Sequence, residues 1–89
     1  MRAIVTVIGK DRVGIIADVC GMLSGSGVNI LDISQTIVQD YFNMMMIVDM
    51  SGSSKSFGEI GAEMARLGAE MGLRIRCQKE EIFEKMHRI

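Results

Sequence analysis

The sequence predicts an α+β domain in which strands and helices follow the order βαββαβ, with a short helix at the C-terminus. Apolar residues recur with strand spacing and with helix spacing in that order. Glycines stand where both long helices are expected to end. A two-residue connection separates the second strand from the third, so these two strands should form an antiparallel hairpin.

The first strand and the first helix are predicted at residues 2–8 and 12–24. The strand is apolar on both faces, which predicts a central strand or one that is covered on both sides. Asp11 is expected to cap the helix, because its carboxylate can accept an N–H group of the first turn. Gly25-Ser26-Gly27 is expected to end it. The predicted buried face, spaced i, i+3, i+4, i+7, consists of Ile16, Val19, Cys20 and Leu23.

The hairpin strands are predicted at residues 29–39 and 42–50, joined by Asp40-Tyr41. In the first of them, alternation places Leu31, Ile33, Gln35 and Ile37 on one face and Ile30, Asp32, Ser34, Thr36 and Val38 on the other. In the second, one face is apolar throughout and consists of Phe42, Met44, Met46, Val48 and Met50.

The second helix is predicted at residues 55–71, capped by Ser54 or Ser56 and ended by Gly72. Its glycines 58, 61 and 68 could mark places where the helix approaches the sheet or a neighbour. The last strand is predicted at residues 73–77, and a short amphipathic helix at 79–89. Together these elements predict a ferredoxin-like fold, with four antiparallel strands and both helices on one face of the sheet.

Length and composition limit the possible function classes. The 89 residues make one domain, with a core at 1–78, and a domain of this size gains from self-association. The formal net charge of −1 argues against nucleic acid as a partner. No apolar stretch is long enough to cross a membrane, and no signal pattern precedes the domain. Two isolated cysteines, Cys20 and Cys77, are expected to be reduced thiols of a cytoplasmic protein.

The turn Gly9-Lys10-Asp11-Arg12-Val13-Gly14-Ile15, between the first strand and the first helix, is the best candidate for a binding site. Glycines at such a turn let backbone N–H groups approach a small anion at the positive end of a helix. The alternative is structural: Asp11 only caps the helix and Gly14 only permits packing. The Gly9–Gly14 spacing is not a phosphate-binding loop, because no Lys-Ser/Thr pair follows Gly14.

The strand order, this turn and the segment Gly27-Val28-Asn29-Ile30 resemble those of an ACT domain. The ending from Ile82 to Ile89 is similar to that of stand-alone bacterial and archaeal ACT proteins of this chain's length. The resemblance implies a regulatory module that binds an amino acid as a homodimer, with the ligand between the turn of one subunit and the second strand of the other. Val13 stands where many ACT domains have proline, and Gly9 lacks the polar side chain of some amino-acid-binding members.

An α-amino acid suits the candidate residues. The N–H groups at positions 13–16 suit its carboxylate, Asp11 or Asp32 could accept its ammonium group, and the Asn29 amide could serve either group. Asn29 could equally be a turn residue only. The predicted ligand-binding residues are Lys10, Asp11, Arg12, Val13, Gly14, Ile15, Asn29, Ile30 and Asp32.

The residue types argue against an enzyme, a metal site or a bound cofactor. The only histidine, His87, has no triad-like partners nearby in sequence, and there is no dense set of metal ligands. An alternative function is a ligand-free protein-interaction module that regulates a partner enzyme or transcription factor. The Met-rich strand, the partly apolar open face of the sheet and the C-terminal helix favour that alternative.

Overall fold

The computed structural model describes residues 1–81, and within them the predicted order βαββαβ is confirmed. The C-terminal helix predicted at 79–89 lies, except for its first residues, outside this part of the chain. The observed elements are β1 Arg2–Lys10, α1 Ile15–Gly25, β2 Asn29–Val38, β3 Tyr41–Asp49, α2 Phe57–Met71 and β4 Leu73–Lys79.

The four strands form one antiparallel sheet in the order β2-β3-β1-β4. β1 is therefore a central strand, as its two apolar faces predict. In β1 and β3 the alternate residues that point to the helices are buried, except for the half-buried Gly9. In β4, Leu73 and Ile75 are buried and the residues after them are half-buried, so this side of the sheet forms the floor of the core. The strand side chains of that floor include Val5, Val7, Met44, Met46 and Ile75.

The two helices cover the same face of the sheet. In α2, Ser56 and Glu59 form a capping box in which each side chain accepts a hydrogen bond from the other residue's backbone N–H. Gly72 ends α2 in the left-handed conformation, with φ of 71°. In α1 the buried residues are Ile15, Val19 and Leu23, spaced four residues apart, so the predicted core residue Ile16 lies off the buried face and is 38% exposed.

Two local predictions in the hairpin were wrong. The turn consists of Gln39 and Asp40, with Gln39 at φ 57°, and β3 starts one residue earlier than expected. A β-bulge between Ile30 and Asp32 interrupts the alternation of β2. Leu31 is the extra residue, so Ile30 lies on the helix side of the sheet, which simple alternation could not foresee.

The other face of the sheet is partly apolar and carries no helix of the βαββαβ core. Ile4 is buried there, whereas Ile8 and Met45 are 48% and 40% exposed. Arg74 and Arg76 lie on the same face along β4. Within residues 1–81, no helix is long and apolar enough to span a membrane.

Candidate functional site

The turn between β1 and α1 differs from its predicted form. α1 begins at Ile15 and its N-cap residue is Gly14, so Asp11 lies three residues too early to cap the helix. The prediction that Asp11 is the N-cap was wrong. Instead, the backbone N–H of Asp11 donates to the carbonyl oxygen of Asp40 at 2.7 Å, which ties the turn to the tip of the β2–β3 hairpin. The exposed Asp11 carboxylate is therefore not engaged in capping.

The start of α1 leaves backbone donors open. Gly14 has φ of 91°, a left-handed conformation that glycine adopts without strain, and it provides no side-chain acceptor. The first intrahelical bond runs from the Asp18 N–H to the Gly14 carbonyl at 2.9 Å. The N–H groups of residues 15–17 come before that bond and have no intrahelical acceptor. At the N-terminus of a helix such N–H groups point out along the helix axis, where they can bind an anion.

A groove with a volume of about 490 Å³ lies between the start of α1 and strands β2 and β3. Its strand wall consists of Gln35, Ile37 and Phe42. Its other wall consists of the turn and the first helical turn, namely Asp11, Arg12, Gly14, Ile15, Ile16 and Ala17. Both formal charges of the groove lie in the turn, and most of the remaining lining is apolar.

The structure brings together four of the predicted site residues in this groove: Asp11, Arg12, Gly14 and Ile15. Lys10 and Val13 do not line it. Lys10 is the exposed last residue of β1, and the Val13 side chain is 95% exposed to solvent.

Asn29 and Ile30 lie at the far end of the sheet in the same subunit. Asn29 pairs with Asp49, which pairs in turn with Arg2, whereas the turn follows Lys10 at the other end of β1. At about 3.3 Å per residue, these two ends are roughly 25 Å apart. One subunit alone therefore does not join the two predicted halves of the site.

Asp32 lies on the face of the sheet opposite to the groove, paired with Ile47. Its carboxylate accepts a hydrogen bond from the Ile33 N–H at 2.9 Å, next to the bulge. It lines a separate notch of about 150 Å³ together with Ser34, Met45 and Ile47. The geometry gives Asp32 a local role in shaping β2 and separates it from the groove.

Sequence reasoning missed the strand side of the groove. The strand pattern predicts the positions of Gln35, Ile37 and Phe42 in the sheet but gives them no role in a site. The helix pattern places Ile16 in the core, whereas it lines the groove and is 38% exposed. One signal was available: Gln35 is the single polar residue in the apolar alternation formed by Ile33, Gln35 and Ile37.

The titratable groups of the core do not offer a nucleophile. Burial raises the pKa of the thiols of both Cys20 and Cys77, which keeps them protonated at neutral pH. Within residues 1–81, no three His, Cys, Asp or Glu side chains lie close enough together to hold a metal ion.

Comparison with known families identifies the class of protein. The family model described as the ACT domain matches residues 2–78. This range contains both helices and all four strands, except for the last residue of β4. The chain therefore belongs to the ACT domain family, and the fold and the resemblance predicted from its sequence are confirmed.

Its relatives are proteins of nearly the same length. The chain is 60% identical to a UPF0237 protein of Bifidobacterium longum, over 99% of this chain and 98% of that one. It is 45% identical to a UPF0237 protein of the archaeon Methanococcus maripaludis, over 99% of this chain and 98% of that one. The predicted similarity to stand-alone bacterial and archaeal ACT proteins is thus confirmed.

Solved structures agree on the fold. An ACT domain protein from Streptococcus pneumoniae is 42% identical, with a TM-score of 0.81 and 94% of each chain covered. A regulatory subunit of aspartate kinase from Thermus thermophilus, in its ligand-free form, is 24% identical, with a TM-score of 0.66, 86% of this chain covered and 49% of that one. The second similarity is one of fold alone.

Proposed function

We propose that this protein is a regulatory module that binds an α-amino acid as a homodimer, and that it is not an enzyme. ACT domains are regulatory ligand-binding modules. The observation that supports the proposal is the groove at the β1–α1 turn, which has its charged groups at one end and lies next to β2, an outer strand of the sheet that residues 1–81 form.

The edge of β2 is suited to pairing with a second copy. It is an outer strand of ten residues, and its exposed side chains include Leu31, Ile33, Ile37 and Val38. Within residues 1–81 no other strand pairs with its outer edge, and a long edge strand with exposed apolar side chains is a template for another strand. Two copies related by a two-fold axis would pair their β2 strands antiparallel into one eight-stranded sheet.

Antiparallel pairing of β2 would bring together the two predicted halves of the site, which lie at opposite ends of the sheet in one subunit. β2 runs in the same direction as β1, so Val38 lies at the turn end of the sheet and Asn29 at the other end. In the antiparallel pair, Asn29 of the second copy would lie beside Val38 of the first. The groove of one subunit would then be completed by Asn29 and Ile30 of the second copy.

Within this site we assign each ligand group to a donor or acceptor. The open N–H groups of residues 15–17 and the Arg12 guanidinium would bind the carboxylate, at the positive end of the α1 dipole. The Asp11 carboxylate would accept the ammonium group, and the Asn29 amide of the second copy would hydrogen-bond to the carboxylate or the ammonium group. Gly14 lets the ligand approach the backbone, and Lys10 and Val13 flank the entrance. The free thiols of Cys20 and Cys77 are consistent with a cytoplasmic protein.

A thermal-shift screen of the twenty L-amino acids at millimolar concentration tests the proposal, with isothermal titration calorimetry for each hit. A ligand present at ten times its Kd adds about 1.4 kcal/mol to the stability of the protein. For a domain of this size, that corresponds to a rise in Tm of roughly 6–11 °C. The proposal fails if none of the twenty amino acids raises the Tm.

A matched pair of acid-to-amide variants locates the binding. Asp11→Asn removes the charge in the groove and should weaken binding about tenfold, which corresponds to the loss of one charged hydrogen bond. Asp32→Asn removes a charge from the opposite face of the sheet and should leave the affinity unchanged. Equal effects of the two substitutions would contradict the proposed site.

A ligand-free interaction module is the second candidate, and the open face of the sheet favours it. Ile8 and Met45 are exposed there, beside Arg74 and Arg76. The ligand screen separates the two functions, because an interaction module without a ligand predicts no change in Tm with any amino acid.

A further inference from the structure

Gln35 is an unusual residue in its place on the sheet. It lies on the helix side of β2, paired with Met44, between Ile33 and Ile37. Except for Lys79 at the end of β4 and the thiol of Cys77, the other side chains on that side of the strands are apolar or absent. Its side chain is exposed in one subunit, so the amide needs a protein or ligand partner only once a bound ligand or a second copy excludes water from it.

The groove runs from the charged turn to this amide. Lys10, the last strand residue before the turn, is level with Val38, and Gln35 lies three residues further into the sheet. At about 3.3 Å per residue, the amide is roughly 10 Å from the charged end. The surfaces between the two ends are the apolar side chains of Ile16, Ile37 and Phe42.

We propose that Gln35 determines the specificity of this site, which selects an amino acid with a long, uncharged side chain that ends in a hydrogen-bonding group. This inference rests on the proposed function. The charged end of the groove would take the ammonium and carboxylate groups, the apolar walls would take the methylene groups, and the Gln35 amide would pair with the end of the side chain.

Two energetic penalties should weaken the binding of the competing ligands. A side chain with a net charge would leave water for a part of the groove that has no formal charge to balance it. An aliphatic side chain would cover the Gln35 amide without giving it a partner, and a buried unpaired amide is costly. L-glutamine therefore should bind more tightly than L-leucine, L-glutamate and L-lysine, each by about tenfold or more.

Titration calorimetry with these four amino acids on the wild type and on Gln35→Met tests the inference. Methionine keeps the length of the side chain and removes its donors and acceptor. In Gln35→Met the affinity for L-glutamine should fall about tenfold, and that for L-leucine should rise above it. Thr36→Val, on the opposite face of the same strand, is the matched control and should keep the wild-type order of affinities.

A second variant protects the test against a failure of Gln35→Met to fold or dimerise. Gln35→Glu adds a charge with the same side-chain shape, so the affinity for L-lysine should rise and that for L-glutamate should fall. An unchanged order of affinities in the variant or variants that fold, or a wild type that prefers a charged or aliphatic amino acid, would overturn the role of Gln35 and leave the proposed function intact. Failure of all amino acids to bind the wild type would overturn both.

Discussion

Two glycines of the same helix should respond differently to the same substitution. At Gly61, a Cβ atom would meet no other atom within 4 Å. At Gly68, it would lie 2.7 Å from the carbonyl oxygen of Leu73 and 3.2 Å from a side-chain atom of Ile75. The oxygen belongs to the backbone at the start of β4, whose Leu73 pairs with β1, so it cannot move without disturbing the sheet.

The magnitudes follow from these contacts. Alanine in place of glycine inside a helix stabilises it by about 0.8–1 kcal/mol. Gly61→Ala should gain this amount. Gly68→Ala gains the same helix term but loses about 1–3 kcal/mol to overpacking, so it should be neutral to about 2 kcal/mol less stable than the wild type. The two variants should therefore differ by about 1–3 kcal/mol, or several degrees in Tm.

Urea denaturation followed by circular dichroism, at one fixed protein concentration, measures both free energies of unfolding. An equal shift of both variants in the same direction would refute the close contact between α2 and β4. A loss of stability in Gly61→Ala would refute the open space beside that position.

Three further predictions concern the turns and the ends of the elements. Gln39→Gly should stabilise the protein by about 0.5–1 kcal/mol in urea denaturation, because it relieves the left-handed φ of 57°; a loss would contradict that conformation. Ser56→Ala should cost about 1 kcal/mol, because it removes the acceptor for the Glu59 N–H, and an unchanged Tm would refute the cap. Hydrogen bonds from Ser51 hold the pKa of Asp49 below its usual value. The ionised Asp49 carboxylate therefore stabilises the folded protein at neutral pH, and this contribution is lost as the pH falls through the lowered pKa. Asp49→Asn should therefore flatten the acid side of the stability profile measured by urea denaturation across that pH range, and an unaltered profile would be inconsistent with this role.

The sequence predicts the helix side of the fold well because burial there leaves a strict pattern. The alternation from Phe42 to Met50 places every second residue in the core, and all five of those residues are buried. Gly72 and Ser56 mark the ends of α2 by well-defined backbone chemistry. In such places the local sequence and the tertiary packing favour the same conformation.

The errors fall where tertiary contacts decide the local structure. The bulge at Leu31 adds one residue to an edge strand, and no alternation pattern records it. The backbone hydrogen bond from Asp11 to Asp40 joins residues distant in sequence, and Asp11 lies three residues before the N-cap of α1. For the same reason the strand wall of the groove could not be predicted, because Gln35 and Ile37 reach it only through the pairing of β2 with β3.

The central claim, that the site is shared between two subunits, is tested most directly by intersubunit complementation. Asp11→Ala and Asn29→Ala are each purified, and their binding of the amino acid that most stabilises the wild type is measured by calorimetry. Both homodimers should bind poorly, because each of their sites lacks one residue. After mixing in equal amounts and refolding, a mixed dimer has one intact site, so about one quarter of all sites should recover wild-type affinity. A mixture that binds no better than either variant alone would contradict the shared site.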